Sequence, residues 1–162
     1  MSQPSFTTEI ASRGIVVAVC LSPGGVPKHP VERAEVLENG LIGDGRNHEK
    51  HCRADRAVSV QDLELIEELV EEGYAVGPGI MGENITVRGL HVQSLAVGDL
   101  LRFQNGPVLE LASVRKPCYV LDAIHPQLKQ AVVGRCGFLC RVLAPGWVHP
   151  GQTVTAERLG EG

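Results

Sequence analysis

Aromatic side chains are scarce in this chain, with three Phe, two Tyr and one Trp among 162 residues. No ring cluster of any size can fill a core, so the core must rest on Val, Leu, Ile and Ala. Long apolar runs are missing too. No stretch approaches the roughly 20 apolar residues of a membrane-spanning helix. The one run near the start, Ile15 to Leu21, follows Arg13 and has Val19 where a cleavage site needs a small residue, so it does not read as a secretory signal. A cytoplasmic protein without a membrane partner is expected. Neither sign of charge prevails: 15 Lys+Arg stand against 19 Asp+Glu, a formal net charge of −4. That balance offers no general footprint for nucleic acid, and any cationic site must be local. Phosphate loops, nucleophile elbows and dinucleotide fingerprints are also lacking, which leaves common nucleotide chemistry unsupported.

What is abundant is punctuation. Nineteen Gly and ten Pro cut the chain into short elements joined by sharp turns, and its length suits one domain around one core. Residues 1–12 are polar and aperiodic and read as a loose terminus, leaving 13–162 as the domain. GIVVAVCLS reads as a buried strand, and VERAEVLENG alternates like a strand with one wet face. The Gly-rich segment from Gly40 to Arg53 reads as a long loop. DRAVSV returns to β-like composition. SVQDLELIEELVEEG predicts a helix, with Ser59 and Asp62 as a capping box, Leu63, Ile66, Leu69 and Val70 on one face, and its glutamates in solvent. NITV, GDLLRF, VLELASV, FLCRVLA and QTVTAE then predict strands. The fold class expected is mainly β, a largely antiparallel sheet closing into a barrel, with one or two short helices.

The five cysteines, Cys20, Cys52, Cys118, Cys136 and Cys140, are odd in number and lack the spacing of a disulfide scaffold, so they read as free thiols. Cys118 stands apart because it follows Arg115-Lys116-Pro117. A thiol acts as nucleophile or metal ligand in its thiolate form, and adjacent cations favour that form. Pro117 ends the preceding strand and would set Cys118 on a barrel rim. The competing reading is a small buried hydrophobe at a strand end. In the Gly-rich loop, His48, His51 and Cys52 are zinc-type ligands without a second half at known spacing. They read equally as solvated loop residues, or, with Arg46, Arg53 and Arg56, as a grip for an anion. Met81-Gly82-Glu83-Asn84 reads as a turn leading into a strand, with Gly82 permitting close backbone approach. Cys136 and Cys140 read as core or half-exposed thiols, with a resolving thiol as the lesser option.

The order of GLIGDGRNHEKHCRADRAVSV, MGENITVRGL, AVGDLLRF, LASVRKPCYVL and GFLCRVLAPGWVHPGQTV resembles the molybdenum-cofactor sulfurase C-terminal domain, or MOSC domain. The likeness runs from about residue 13 to residue 157. It implies a MOSC-type β-barrel, similar to that of pyruvate kinase. It also implies a role in molybdenum cofactor binding or sulfur transfer, with Cys118 as persulfide carrier or molybdenum ligand. His51, Asp55, Arg56, Glu83, Asn84 and Arg115 match motif residues of the family and would contact the cofactor. Lys116, with Arg115, would support the Cys118 thiolate. Arg115 and Arg56 are the first choices for anion contacts. The partners implied are the molybdopterin ligand and a cysteine desulfurase or molybdoenzyme. A reductase module for N-hydroxylated substrates and a non-catalytic ligand-binding barrel are the alternative functions. Pyridoxal phosphate is not expected, since no Schiff-base lysine motif is visible. The chain departs from the family pattern where Cys52 and Arg53 replace two glycines after the histidine.

Overall fold

The computed structural model describes residues 7–45 and 56–160. Among these described residues, eleven strands run in the order β1 (Thr7–Leu21), β2 (His29–Val31), β3 (Ala34–Leu37), β4 (Gly40–Leu41), β5 (Val58–Asp62), β6 (Ile85–Arg88), β7 (Leu100–Phe103), β8 (Val108–Val114), β9 (Phe138–Ala144), β10 (Gly146–Val148) and β11 (Thr153–Gly160). Helices α1 (Leu63–Glu71) and α2 (Leu128–Ala131) are short. The sheet order β11-β7-β8-β9-β5-β6-β1 is closed by pairing of β1 with β11, which makes a seven-stranded barrel with β2 added at the Val19–Leu21 end of β1. Within the barrel every pairing is antiparallel except β5 with β6. Strands β10, β3 and β4 form a separate small sheet.

Closure suits a sequence poor in aromatics. Inward side chains of Val, Leu and Ile, among them Val16, Val58, Val60, Ile85, Val87, Leu101, Leu109, Leu111 and Val154, fill the lumen, with Phe103 and Phe138 as the rings among the described residues. Each fully buried aliphatic side chain contributes about 1.5–3 kcal/mol. A second cluster of Ile66, Leu69, Met81, Leu121, Leu128, Val132 and Cys136 sits where α1, α2 and a 3-10 turn at Tyr119–Ala123 pack together.

Four sequence expectations need correction. Residues 1–12 are not all a loose terminus: Thr7–Ser12 belong to β1 and pair with Ala156–Gly160 of β11, while residues 1–6 lie outside the described residues. A polar ladder held by backbone hydrogen bonds to a strand some 150 positions away leaves no local period to read. The helix also starts later than its capping box suggests. Ser59 lies in β5, and Asp62 occupies the N-cap position without a side-chain cap bond. The Asp62 carboxylate instead accepts the amides of Val92 (2.8 Å) and Gln93 (2.9 Å), at the start of the 3-10 turn Val92–Ser94. Val70, placed on the apolar face by period alone, is exposed. VERAEVLENG, read as one strand, is split among β2, β3 and β4.

Asp62 is buried, and burial pushes its carboxyl above the usual range despite those two donors. Asp62→Ala would strand both amides, so a loss of about 2–4 kcal/mol is expected in urea unfolding, at one to two kcal/mol per buried unpaired group. A loss below about 1 kcal/mol would show that water replaces the carboxylate.

Candidate functional site

The Gly82-Glu83-Asn84 turn ahead of β6, the stretch after β8, the β1–β2 loop and the turn after β4 meet at one side of the barrel. They surround a cavity of about 490 Å³. Ligand sites commonly measure ~300–1,000 Å³. Among the described residues Lys28, Arg56, Arg115 and Lys116 line it with one carboxylate, Asp44, and its apolar wall includes Val26, Val120 and Leu139. A chain with net charge −4 has thus gathered a local excess of cations.

Asn84 assembles the floor. Its Oδ1 accepts from the Ser59 amide (3.1 Å) and hydroxyl (3.3 Å), while its own amide donates to Ser59 Oγ (2.9 Å). Its Nδ2 donates to the Cys20 carbonyl (3.3 Å) and to Asp44 Oδ2 (3.0 Å). One carboxamide therefore ties β1, β5, the start of β6 and the turn after β4. It lines the cavity, yet each of its side-chain polar atoms is already engaged with protein.

Glu83 lies beneath that floor, fully buried. Its Oε1 accepts the Gly79 amide, and its Oε2 sits 3.8 Å from Arg115 Nη1; neither of these last two atoms has a hydrogen-bond partner. Burial raises the Glu83 carboxyl above its ordinary value and outweighs the attraction of Arg115. Arg115 Nη2 donates to the Met81 carbonyl (2.6 Å). A β-carbon on Gly82, whose φ is +95°, would fall 2.5 Å from Val26 Cγ1 and 3.1 Å from Arg115 Nη2, so only glycine lets the guanidinium lie across the turn.

Strand β8 ends at Val114, and the Arg115 amide extends its ladder by one bond to the Gly137 carbonyl (2.9 Å). The chain then leaves the sheet through Lys116 and Pro117 and presents Cys118 as the residue before the 3-10 turn. Cys118 is partly exposed and lines the cavity, which is the rim position expected of it. The other three described thiols are buried. Desolvation drives Cys20 to about 11 and raises Cys136 and Cys140 as well.

Of the residues singled out by sequence, Cys118, Arg56, Asn84, Arg115 and Lys116 share the cavity, and Glu83 supports it from below. Arg56 and Lys116 are exposed on its edge. His51 and Asp55 lie outside the described residues, as do Arg46, His48, Cys52 and Arg53. Among the described residues no three His, Cys, Asp or Glu side chains gather as a metal site. No helix among them is long and apolar enough to cross a membrane. Lys28 and Asp44 were missed by sequence reading. A lysine after Gly-Gly-Val-Pro and an aspartate between glycines carry no signal until the fold brings their loops together.

Comparison with known proteins places this geometry in context. Residues 44–155 match the profile of the MOSC domain. Uncharacterized protein YflK of Bacillus subtilis (strain 168) is 31% identical over 146 residues, covering 85% of this chain and 65% of YflK. A protein named Reductase from Gibberella moniliformis (strain M3125 / FGSC 7600) is 26% identical over 126 residues, covering 72% of this chain and 22% of that protein. The chain thus spans less than two thirds of either curated relative. Among solved structures, YiiM from Escherichia coli superposes with a TM-score of 0.70 at 26% identity, over 89% of this chain and 69% of YiiM.

Exposure separates the thiols kinetically. At pH 8, alkylation of Cys118 is expected to run at least about tenfold faster than that of Cys20, Cys136 or Cys140, because the thiolate is the reacting form and burial suppresses it. Peptide mapping after brief iodoacetamide treatment measures this, and equal labelling of the four would contradict the burial described.

Proposed function

Since the chain belongs to the MOSC domain family, whose domains are associated with the molybdenum cofactor, we propose that its cavity binds that cofactor and that Cys118 carries sulfur for it. The observation that supports this reading is the placement of the partly exposed Cys118 thiol in a cavity lined by four cations. The residues present fit such a ligand on three counts. Cations answer its phosphate, the apolar wall answers a flat heterocycle, and a soft thiol suits either a transition metal or sulfane sulfur. The bare Gly82 lets the Arg115 guanidinium lie across the turn at the cavity wall.

When bound, the cofactor would supply a redox-active metal centre. The protein's own part is positional and nucleophilic. Arg56 and Lys116, on the exposed edge, raise the local concentration of an anionic ligand. Arg115, held by the Met81 carbonyl and close to Glu83, keeps a fixed positive charge on the wall of the cavity that Cys118 also lines. In the transfer step the Cys118 thiolate attacks the outer sulfur of a donor persulfide. The donor's S–S bond breaks, its thiolate leaves, and a new S–S bond forms at Cys118 with no net oxidation.

Incubation with a cysteine desulfurase and cysteine is expected to leave a persulfide on Cys118, read by mass spectrometry of the intact protein and its peptides. Persulfide spread evenly over all thiols would overturn the assignment. In Cys118→Ser, loss of the persulfide with retention of pterin after anaerobic purification supports the carrier role. Loss of molybdenum with it would make Cys118 a metal ligand instead.

The relative named Reductase favours a second reading, in which the chain is the cofactor module of a reductase, and the family resemblance suggests N-hydroxylated substrates for it. Cofactor-loaded protein supplied with an electron donor should then reduce a hydroxylated base, and failure with fully loaded protein counts against it.

A further inference from the structure

The cations around the cavity are not equivalent. Arg56 and Lys116 are exposed, and charges of that kind are screened by salt and cost side-chain entropy to hold still. Arg115 is fixed, but its guanidinium is turned toward protein: Nη2 is bonded to the Met81 carbonyl and Nη1 faces the Glu83 carboxylate. Lys28 differs from all three. Its side chain is only 12% exposed, it lines the cavity, and its Nζ donates to Asp44 Oδ2 at 2.5 Å.

Both ends of Lys28 are pinned. Its backbone amide donates to the Gly79 carbonyl (2.8 Å), and the Gly79 amide in turn donates to the buried Glu83 carboxylate. Gly79 has φ +82°, and a β-carbon there would fall 2.4 Å from the Lys28 carbonyl oxygen and 2.9 Å from Cys20 Sγ. The contact between these loops therefore requires glycine. At the other end, Asp44 is 2% exposed and is itself held by the Ser22 amide (3.1 Å) and Asn84 Nδ2 (3.0 Å). Three donors thus share the Asp44 charge. Among the described residues the Lys28 ammonium has one acceptor for its three protons, which leaves donors for a ligand at the cavity wall.

We propose that Lys28 is the anion-recognition residue of the cavity, an ammonium held by Asp44 that takes a phosphate group of the ligand. This rests on the cavity being a ligand site and deepens the cofactor reading by naming the residue that selects a phosphorylated ligand. A charge whose position is fixed before binding gives up little entropy when the ligand arrives, so it discriminates where the mobile cations at the edge only attract.

Inorganic phosphate is the probe, titrated calorimetrically into the purified full chain at low ionic strength. Lys28→Met keeps most of the aliphatic stem and removes the charge. It is expected to weaken phosphate binding at least about tenfold, as loss of one charge-assisted contact requires. Lys28→Arg restores charge and should bind within about threefold of the unaltered protein. Lys129→Met, on α2 away from the cavity, makes the same change in net charge and should leave binding within about twofold.

Equal weakening in Lys28→Met and Lys129→Met would overturn the proposal, as would unchanged binding in Lys28→Met or no phosphate binding by the unaltered protein. A measurement on the unaltered protein covers the case of a poorly folded variant. Phosphate should protect Lys28, and not Lys129, from acylation by an N-hydroxysuccinimide ester mapped by mass spectrometry, and absence of that protection also overturns the proposal. Phosphate binding that depends on Lys28 in protein free of pterin and molybdenum supports the assignment while removing the cofactor reading.

Discussion

The carboxamide of Asn84 is the constraint on which the site depends. It bonds the backbone and hydroxyl of Ser59 on β5, the carbonyl of Cys20 on β1 and the carboxylate of Asp44 after β4. The Asn84 carbonyl also accepts the Cys20 amide (2.7 Å). These bonds are made in a nearly dry interior, where an unpaired polar group is costly and a satisfied set favours one arrangement. β5 and β6 form the barrel's parallel pair, and this network lies where they meet β1. The floor of the cavity is thus part of the barrel wall.

From that floor the charges are built outward in layers. Two carboxylates are placed low: Glu83 wholly buried and Asp44 nearly so. Above them stand Arg115 and Lys28, each close to one of these carboxylates, and at the edge stand Arg56 and Lys116. Buried carboxylates add little net stability, because desolvation offsets much of the attraction, and burial raises the Glu83 carboxyl accordingly. Their contribution is position. Each limits where a cation can point, so the cavity has a fixed electrostatic shape although the chain as a whole is acidic.

The thiols divide along the same line between interior and rim. Cys140 packs in the barrel, Cys136 packs in the cluster beneath α1 and α2, and Cys20 is enclosed under Gly79, all three in the low-dielectric interior that disfavours thiolate. Cys118 escapes because β8 stops at Val114 and Pro117 carries the chain away from the sheet before the 3-10 turn begins.

Much of the fold was legible because its signals are local. Short apolar segments bounded by Gly and Pro marked β8 and β9 at the bounds observed, and the 3.6-residue period marked α1 with Ile66 and Leu69 inward. Arg115-Lys116-Pro117-Cys118 announced the rim thiol for the same reason, since charge, φ restriction and thiol are consecutive. What stayed hidden is non-local. Thr7–Ser12 form a strand only because β11 offers a ladder, and Asp62 caps a 3-10 turn thirty residues on rather than its own helix. By itself, then, the sequence determined the barrel class and the rim position of Cys118. Only the tertiary structure decided that Asn84 would hold the floor, Glu83 would lie beneath it, and Lys28 would meet Asp44, because hydrogen bonds and ion pairs between loops depend on distances that barrel closure alone sets.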